Sequence, residues 1–168
     1  MNNKIYIKNN IRLSQKDSPF NIGIDIKASN FNIVGEKFQD YYSYIDYIEY
    51  NTDLFIDSIN KNSEEQIYTL LYPRSSISNK NLFLCNGVGL IDPNYRDSIK
   101  VRFKYFSQPK DLIFFNDKVF IKIDMDKIYK DGDKIAQIVF VKNFPVSFNY
   151  VPELMPSDRF GGFGSTGI

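Results

Sequence analysis

The feature that most constrains the fold is a two-residue alternation of apolar and charged side chains in several short segments. Segments 99–105 and 118–125 both alternate in this way, which is typical of half-buried β-strands. In the second segment the predicted apolar face is made of Val119, Ile121, Ile123 and Met125. Segment 135–141 is almost continuously apolar, which indicates a strand buried on both faces. Since turn-forming residues separate these segments at short intervals, the sequence predicts an all-β sandwich or barrel.

One segment does not fit this pattern. Between residues 36 and 50 the apolar residues follow a roughly helical spacing, at Phe38, Tyr41, Tyr42, Ile45 and Ile48. The same segment is rich in tyrosine, which prefers strands, so a helix, a hairpin and a loop all stay open. We predict one domain over residues 1–150, with a Tyr-rich insertion at about 36–48. The proline- and glycine-rich residues 151–168 are predicted to form a flexible C-terminal arm.

Composition excludes several kinds of chemistry. The 168-residue chain has no histidine and one cysteine, Cys85, which excludes a histidine base, a catalytic triad and a multi-cysteine metal site. With 21 basic and 20 acidic residues, the overall charge argues against nucleic acid or an anionic membrane as a partner. No apolar run has the length of a signal peptide or a membrane span. We therefore expect a soluble, cytoplasmic protein.

Five short segments carry residues that could catalyse a reaction or bind a ligand. Asp92 could act as a general base on water or cap a turn before a proline. Arg74 and its two neighbouring hydroxyls could bind phosphate or form a surface turn. Asp25, between β-branched residues, could face solvent or be paired at a site. The glycines of 161–167 could wrap an anion with backbone N–H groups or belong to a disordered tail.

Taken in order, these segments resemble the five motifs of the trimeric dUTP pyrophosphatases (dUTPases). The matching segments are 23–28, 73–77, 86–96, 132–137 and 159–167. The resemblance implies a distorted, jelly-roll-like β-barrel assembled as a homotrimer, in which the C-terminal arm closes over a neighbouring subunit's site. It implies hydrolysis of dUTP to dUMP and pyrophosphate by attack of water on the α-phosphorus. It also implies Mg²⁺ carried by the triphosphate.

The resemblance assigns roles to individual residues. Asp92 is implied to activate water, and Asp25 to hold the metal through its water shell. The residues implied to bind uracil or deoxyribose are Asn86, Gly87, Leu90, Ile91, Tyr95, Lys100 and Phe163. The residues implied to bind the phosphates are Arg74, Ser75, Ser76, Gln137, Arg159, Gly164, Ser165 and Thr166.

Two alternatives accompany this interpretation. The related dCTP deaminases share the fold but need a glutamate at the position of Arg102, which disfavours deamination. The interval between Asp25 and Arg74 is longer than the family pattern implies, and the surplus falls around 38–47. This surplus is either a surface excursion or a docking surface for a protein partner, as in a viral or phage regulatory dUTPase. The residues of that surface would be Tyr41, Tyr42, Tyr44 and Tyr47, because exposed aromatic clusters mark interfaces.

Overall fold

The computed structural model describes residues 5–9, 22–59 and 66–156, and these residues form β-strands joined by turns. The strands are β1 (Tyr6–Asn9), β2 (Ile24–Lys27), β3 (Asn30–Phe38), β4 (Tyr41–Asn51), β5 (Leu54–Asp57), β6 (Gln66–Pro73), β7 (Leu82–Leu84), β8 (Gly89–Ile91), β9 (Lys100–Tyr105), β10 (Leu112–Phe115), β11 (Lys118–Ile121) and β12 (Lys134–Asn143). Two 3₁₀ turns cover Ser75–Asn79 and Pro109–Asp111. In the described part of the chain, no helix is long and apolar enough to cross a membrane.

The strands form three antiparallel sheets. One sheet has the order β10-β11-β4-β9-β7 with β3 also paired to β4, a second has the order β2-β12-β6-β8, and β1 pairs with β5. The predicted all-β class is therefore confirmed. The expected barrel needs a correction, because among the described strands the hydrogen-bonded ladders end at sheet edges and do not close. The two larger sheets meet through side chains in a shared core and have no continuous backbone pairing between them.

The core lies between the two larger sheets. Ile48, Tyr50 and Phe103 enter it from β4 and β9, and Leu71 and Ile138 enter it from β6 and β12. Burial raises the pKa of Tyr50 and keeps its hydroxyl protonated. A buried hydroxyl is costly unless it is hydrogen-bonded. The Tyr50 hydroxyl donates to the Tyr129 carbonyl at 3.1 Å and accepts from the Tyr129 N–H at 3.2 Å, so the core contains this polar group without an unmet bond.

The Tyr-rich segment is a β-hairpin made of β3 and β4. Its pairing shifts register twice, since Val34 faces Tyr47 and Gly35 faces Ile45, and since Glu36 faces Tyr44 and Lys37 faces Tyr42. Each shift leaves one extra residue in β4, as β-bulges do. At each bulge the spacing between apolar residues in β4 rises from two residues to three. The apolar residues therefore have a spacing that resembles that of a helix.

The other predicted strands agree with the structure to different degrees. Segments 99–105 and 135–141 correspond to β9 and β12 and are confirmed. Segment 118–125 forms a strand only as far as Ile121, and the predicted burial of Val119 was wrong. Phe120 is 5% exposed and Val119 is 48% exposed, because the Phe120 ring stacks on Phe38 at 5.1 Å.

The chain beyond β12 keeps apolar side chains in contact with solvent. Exposure is 68% at Phe144, 75% at Val146, 78% at Phe148 and 97% at Tyr150. These four residues alternate with shorter side chains, which is the pattern of an extended segment. Residues 151–156 are exposed too and form no strand. The rest of the predicted arm lies outside the described residues, and the division at residue 150 stays a prediction.

Candidate functional site

A cavity of about 520 Å³ opens between β8, β9 and the turns that flank them. This volume suits a small ligand such as a nucleoside. Six of the residues predicted for catalysis or for pyrimidine and sugar binding line it together: Asn86, Leu90, Ile91, Asp92, Tyr95 and Lys100. Sequence reasoning missed the seven further lining residues, Leu71, Leu84, Cys85, Gly89, Ile99, Val101 and Arg102. The alternation in β9 could have indicated Arg102, because it lies on the same side of the strand as Lys100.

Two tight turns shape the cavity. In the turn between β7 and β8, Gly87 has φ +65° and donates from its N–H to the Leu84 carbonyl at 3.1 Å. This left-handed conformation favours glycine. Gly87 itself is not among the residues that line the cavity, and its binding role stays a prediction. At Gly89 an added Cβ would meet the Leu71 Cβ at 3.0 Å, so the small residue lets β8 approach β6.

Asp92 begins the second turn, where the Tyr95 N–H donates to the Asp92 carbonyl at 3.1 Å. The Tyr95 hydroxyl donates to the Ser98 carbonyl at 3.3 Å, which directs the ring along the turn. Asp92 is exposed, and no described residue forms a hydrogen bond or ion pair with its carboxylate. The acid therefore stands at the cavity mouth with its oxygens open to a ligand or to water.

Cys85 lies in the cavity wall next to Asn86. Its thiol is free, and burial raises its pKa, although the neighbouring Lys104 and Arg102 act in the opposite direction. A thiol of this kind is a weak nucleophile near neutral pH. We therefore assign Cys85 no catalytic role.

One wall of the cavity is formed by two cations that share a carboxylate. Lys100 Nζ lies 3.0 Å from Glu49 Oε1, and Arg102 Nη2 lies 2.8 Å from Glu49 Oε2. The Arg102 guanidinium also lies 4.4 Å from the centre of the Tyr47 ring. Burial would raise the pKa of Glu49, but the hydrogen bonds from Lys100 and Arg102 outweigh it and lower the pKa.

A second group of predicted residues lies at the adjoining ends of β2, β6 and β12. Arg74 Nε donates to Asp25 Oδ1 at 2.7 Å, and Lys134 Nζ lies 3.0 Å from Asp25 Oδ2. Burial would raise the pKa of Asp25, but the hydrogen bonds from Lys134 and Arg74 lower it overall. Lys134 was not predicted, although it stands in the fourth motif. We call Asp25, Arg74 and Lys134 the charge cluster.

The other predicted phosphate-binding residues lie near the charge cluster. Arg74 Nη1 lies 3.5 Å from Ser76 Oγ, which shares a hydrogen bond of 3.2 Å with the Tyr129 hydroxyl. Ser75 is exposed at the start of its 3₁₀ turn. Gln137 faces Asp25 across the β12–β2 ladder. A Cβ at Gly23 would come within 2.6 Å of Gln137 Oε1, so Gly23 gives this amide its space.

No hydrogen bond or ion pair among the described residues joins the cavity to the charge cluster, and none of the three residues of the cluster lines the cavity. The predicted site residues of the arm, Arg159, Phe163, Gly164, Ser165 and Thr166, lie outside the described residues. Within the described ranges no three His, Cys, Asp or Glu side chains group as a metal site.

The curated relatives of this chain are dUTPases. The deoxyuridine 5'-triphosphate nucleotidohydrolase of Desulfitobacterium hafniense is 37% identical over 101 residues, covering 58% of this chain and 56% of the relative. That of Histophilus somni is 36% identical over 107 residues, covering 62% and 60%. The match thus spans less than two thirds of the length of these relatives. No family model matches the chain.

Solved structures of phage dUTPases share the fold. The Staphylococcus bacteriophage 80alpha dUTPase bound to dUpNHpp has a TM-score of 0.67 and 22% identity, covering 99% of this chain and 100% of the phage chain. A dUTPase of phage phi11 of S. aureus, described with a structural Mg(II) ion, has a TM-score of 0.60 and 19% identity, covering 90% and 98%. The chain therefore has an all-β fold that dUTPases share. Together with the curated relatives, this likeness supports the resemblance to dUTPases noted in the sequence.

Proposed function

We propose that this protein hydrolyses dUTP to dUMP and pyrophosphate. The observation that carries the proposal is the cavity of about 520 Å³, in which Asp92 and Tyr95 meet four other predicted pyrimidine- and sugar-binding residues. The names of the curated relatives and the dUTP analogue bound to the phage structures support it. The reaction would supply dUMP and keep uracil out of DNA.

In this proposal Asp92 is the general base. An exposed carboxylate without a partner in the described chain can accept a proton from water as the water attacks the α-phosphorus. Tyr95 packs against the deoxyribose and leaves no room for a 2′-hydroxyl. Asn86 and the turn at Gly87, with Leu90 and Ile91, hold the uracil. Because the chain has no histidine, the carboxylate performs the proton transfer that histidine often performs in other enzymes.

The charge cluster binds the triphosphate in this proposal. Arg74 presents a planar guanidinium, which suits phosphate oxygens, and Ser75, Ser76 and Gln137 offer further hydrogen-bond donors. Arg159 and the hydroxyls of the predicted arm complete the set. Binding of the anion would compete with Asp25 for the Arg74 guanidinium.

Magnesium fits this site only as an ion carried by the nucleotide. Mg²⁺ prefers several oxygen ligands and keeps many of its waters, whereas the charge cluster offers one carboxylate, Asp25. We propose that Asp25 holds the metal through water and that phosphate oxygens bind it directly. When bound, the metal would neutralise part of the charge on the triphosphate.

We also propose that the chain assembles as a homotrimer whose sites combine the cavity of one subunit with the charge cluster of another. The absence of the charge-cluster residues from the lining of the cavity in a single chain supports this assembly. The exposed apolar residues Phe144, Val146, Phe148 and Tyr150 support it as well, because a solvated aromatic row of this kind is unusual unless another surface covers it. Sedimentation analysis tests the trimer directly.

Two alternatives from the sequence are less well supported. Deamination of dCTP is disfavoured because Arg102, paired with Glu49, occupies the position that would need a free acid. A role in protein binding through the Tyr-rich hairpin stays a prediction. Of its tyrosines, Tyr44 is 51% exposed, whereas Tyr47 contacts Arg102 inside the chain. A cytoplasmic location and a phage origin stay predictions too.

Pyrophosphate release from dUTP, dCTP, dTTP and UTP, each with Mg²⁺, tests the proposed activity. Release from dUTP alone is the expected result. Ammonia release from dCTP would assign the chain to the deaminases, and the absence of any turnover by the trimer would refute the proposed hydrolysis.

A further inference from the structure

The two cations of the cavity wall differ from the rest of the cavity in their hydrogen-bonding capacity. Lys100 and Arg102 occupy alternate positions of β9 and both line the cavity. Ammonium and guanidinium groups donate hydrogen bonds and cannot accept them. A base edge with a carbonyl oxygen can accept from such a wall. An amino group in the same place would set donor against donor, so that no hydrogen bond could form between the base and the wall.

Glu49 controls where these two cations point. It lies directly opposite Arg102 in the β4–β9 ladder, and its side chain is 16% exposed, against 44% for Lys100 and 51% for Arg102. Each of its oxygens holds one cation. The Tyr47 ring adds a second contact for Arg102. Without these contacts the two long side chains would sample many rotamers, and a ligand would have to order them on binding.

We propose that Glu49 is a positioning residue that holds Lys100 and Arg102 as a donor-only wall, and that this wall favours uracil over cytosine. The inference rests on the proposed function, since it concerns the nucleotide bound in the same cavity. Glu49 would thus contribute to base recognition from β4. This strand does not line the cavity itself and acts through Lys100 and Arg102 on β9.

Five variants test the proposal: Glu49→Gln, Glu49→Asp, Arg102→Met, the double variant Glu49→Gln with Arg102→Met, and Lys104→Met as the control. Lys104 is exposed on the same strand and does not line the cavity. For each variant, calorimetry measures the binding of dUMP and dCMP, and steady-state kinetics with dUTP gives kcat and KM. Thermal melting shows that each variant is folded.

We expect Glu49→Gln to raise the KM for dUTP about three- to tenfold and to leave kcat within about twofold, because positioning affects binding more than chemistry. The preference for dUMP over dCMP should fall in Glu49→Gln and in Arg102→Met. The double variant should lose less preference than the sum of the two single losses, since Glu49 acts in part through Arg102 and in part through Lys100. Lys104→Met should match the wild type, and Glu49→Asp should recover part of the preference.

Three results would overturn the proposal: equal binding of dUMP and dCMP by the wild type, an unchanged preference in both single variants, or additive losses in the double variant. The binding measurements do not depend on turnover. A wild-type protein that prefers dUMP but releases no pyrophosphate would therefore refute the proposed hydrolysis and leave the selective wall supported.

Discussion

The cavity and the charge cluster differ in whether their aspartate already has a partner. In the cavity, Asp92 is exposed and unpaired within the described chain, and the space for a ligand already exists. In the charge cluster, Asp25 neutralises Arg74 and Lys134, so its charges are already satisfied. Asp25 and Arg74 have similar side-chain exposures, 24% and 28%, and solvent therefore screens their ion pair only in part.

In the proposed function, the cavity recognises the nucleoside and the charge cluster neutralises the triphosphate. In this function, a pyrimidine nucleoside would enter the cavity without displacing a partner of Asp92. The charge cluster would exchange partners when the triphosphate arrives, so part of its binding energy would replace the lost ion pair. Substitutions in the two regions should consequently change different kinetic quantities.

The largest effect is expected in the cavity. Asp92→Asn should lower kcat by about 10²- to 10⁴-fold, the usual range for a general base, because an amide cannot accept the proton. Binding of dUMP should change little, as the side chain keeps its size. Asp117→Asn is a suitable control, since this exposed acid lies in the turn between β10 and β11. Full turnover by Asp92→Asn would show that the base lies elsewhere.

A smaller effect is expected in the charge cluster. Arg74→Met should raise the KM for dUTP about tenfold or more, since charge-assisted hydrogen bonds are worth roughly 1.5–3 kcal/mol. Binding of deoxyuridine, which has no phosphate, should stay as in the wild type. Lys130→Met serves as a control because its ion pair with Asp126 is exposed. If Arg74→Met weakened deoxyuridine binding equally, the proposed division between the two regions would be wrong.

Two glycines allow a matched comparison of the regions. Gly87 beside the cavity has φ +65°, and Gly132 before the charge cluster has φ +83°. Neither would bring an added Cβ into contact with another atom, so alanine should cost each turn about 1 kcal/mol through backbone strain alone. Denaturant unfolding should give similar losses of stability. Gly87→Ala should weaken deoxyuridine binding, and Gly132→Ala should raise the KM for dUTP.

The smallest effect concerns pH. The pKa of Glu49 is lower in the folded protein than its ordinary value of 4.5, so the carboxylate stabilises the fold above that pH. This stabilisation is lost as the pH falls through the folded pKa. Glu49→Gln should therefore melt a few degrees below the wild type at pH 7, and the gap should close under acidic conditions below pH 4.5. A gap of constant size from pH 7 to pH 3 would contradict the assignment.

Much of the fold could be predicted because β-strands leave a local signal. The alternation in 99–105 and the apolar run in 135–141 predicted β9 and β12, and the resemblance to dUTPases predicted the all-β fold that solved dUTPase structures share. The Tyr-rich hairpin could not be assigned, since the two register shifts at Gly35 and Lys37 depend on the partner strand. The burial of Phe120 was missed because it depends on Phe38 in another hairpin.

In the candidate site, the residues that line the cavity could be predicted better than the ion pairs between side chains. Five residues of the third motif line one cavity, together with the predicted Lys100, because they are close in sequence and share two turns. Glu49 and Lys134 carried no such signal. Each acts through a partner far away along the chain, Arg102 or Asp25, and only the pairing of strands brings these side chains together.

Because the sequence has a single cysteine, a thiol reagent can label the cavity selectively. Because Cys85 lies in the cavity wall, a thiol reagent would modify the chain at one position, inside the proposed binding site. The raised pKa of the Cys85 thiol slows this reaction near neutral pH and accelerates it under alkaline conditions. The labelling rate would then report cavity occupancy for any ligand, without a coupled assay and without turnover.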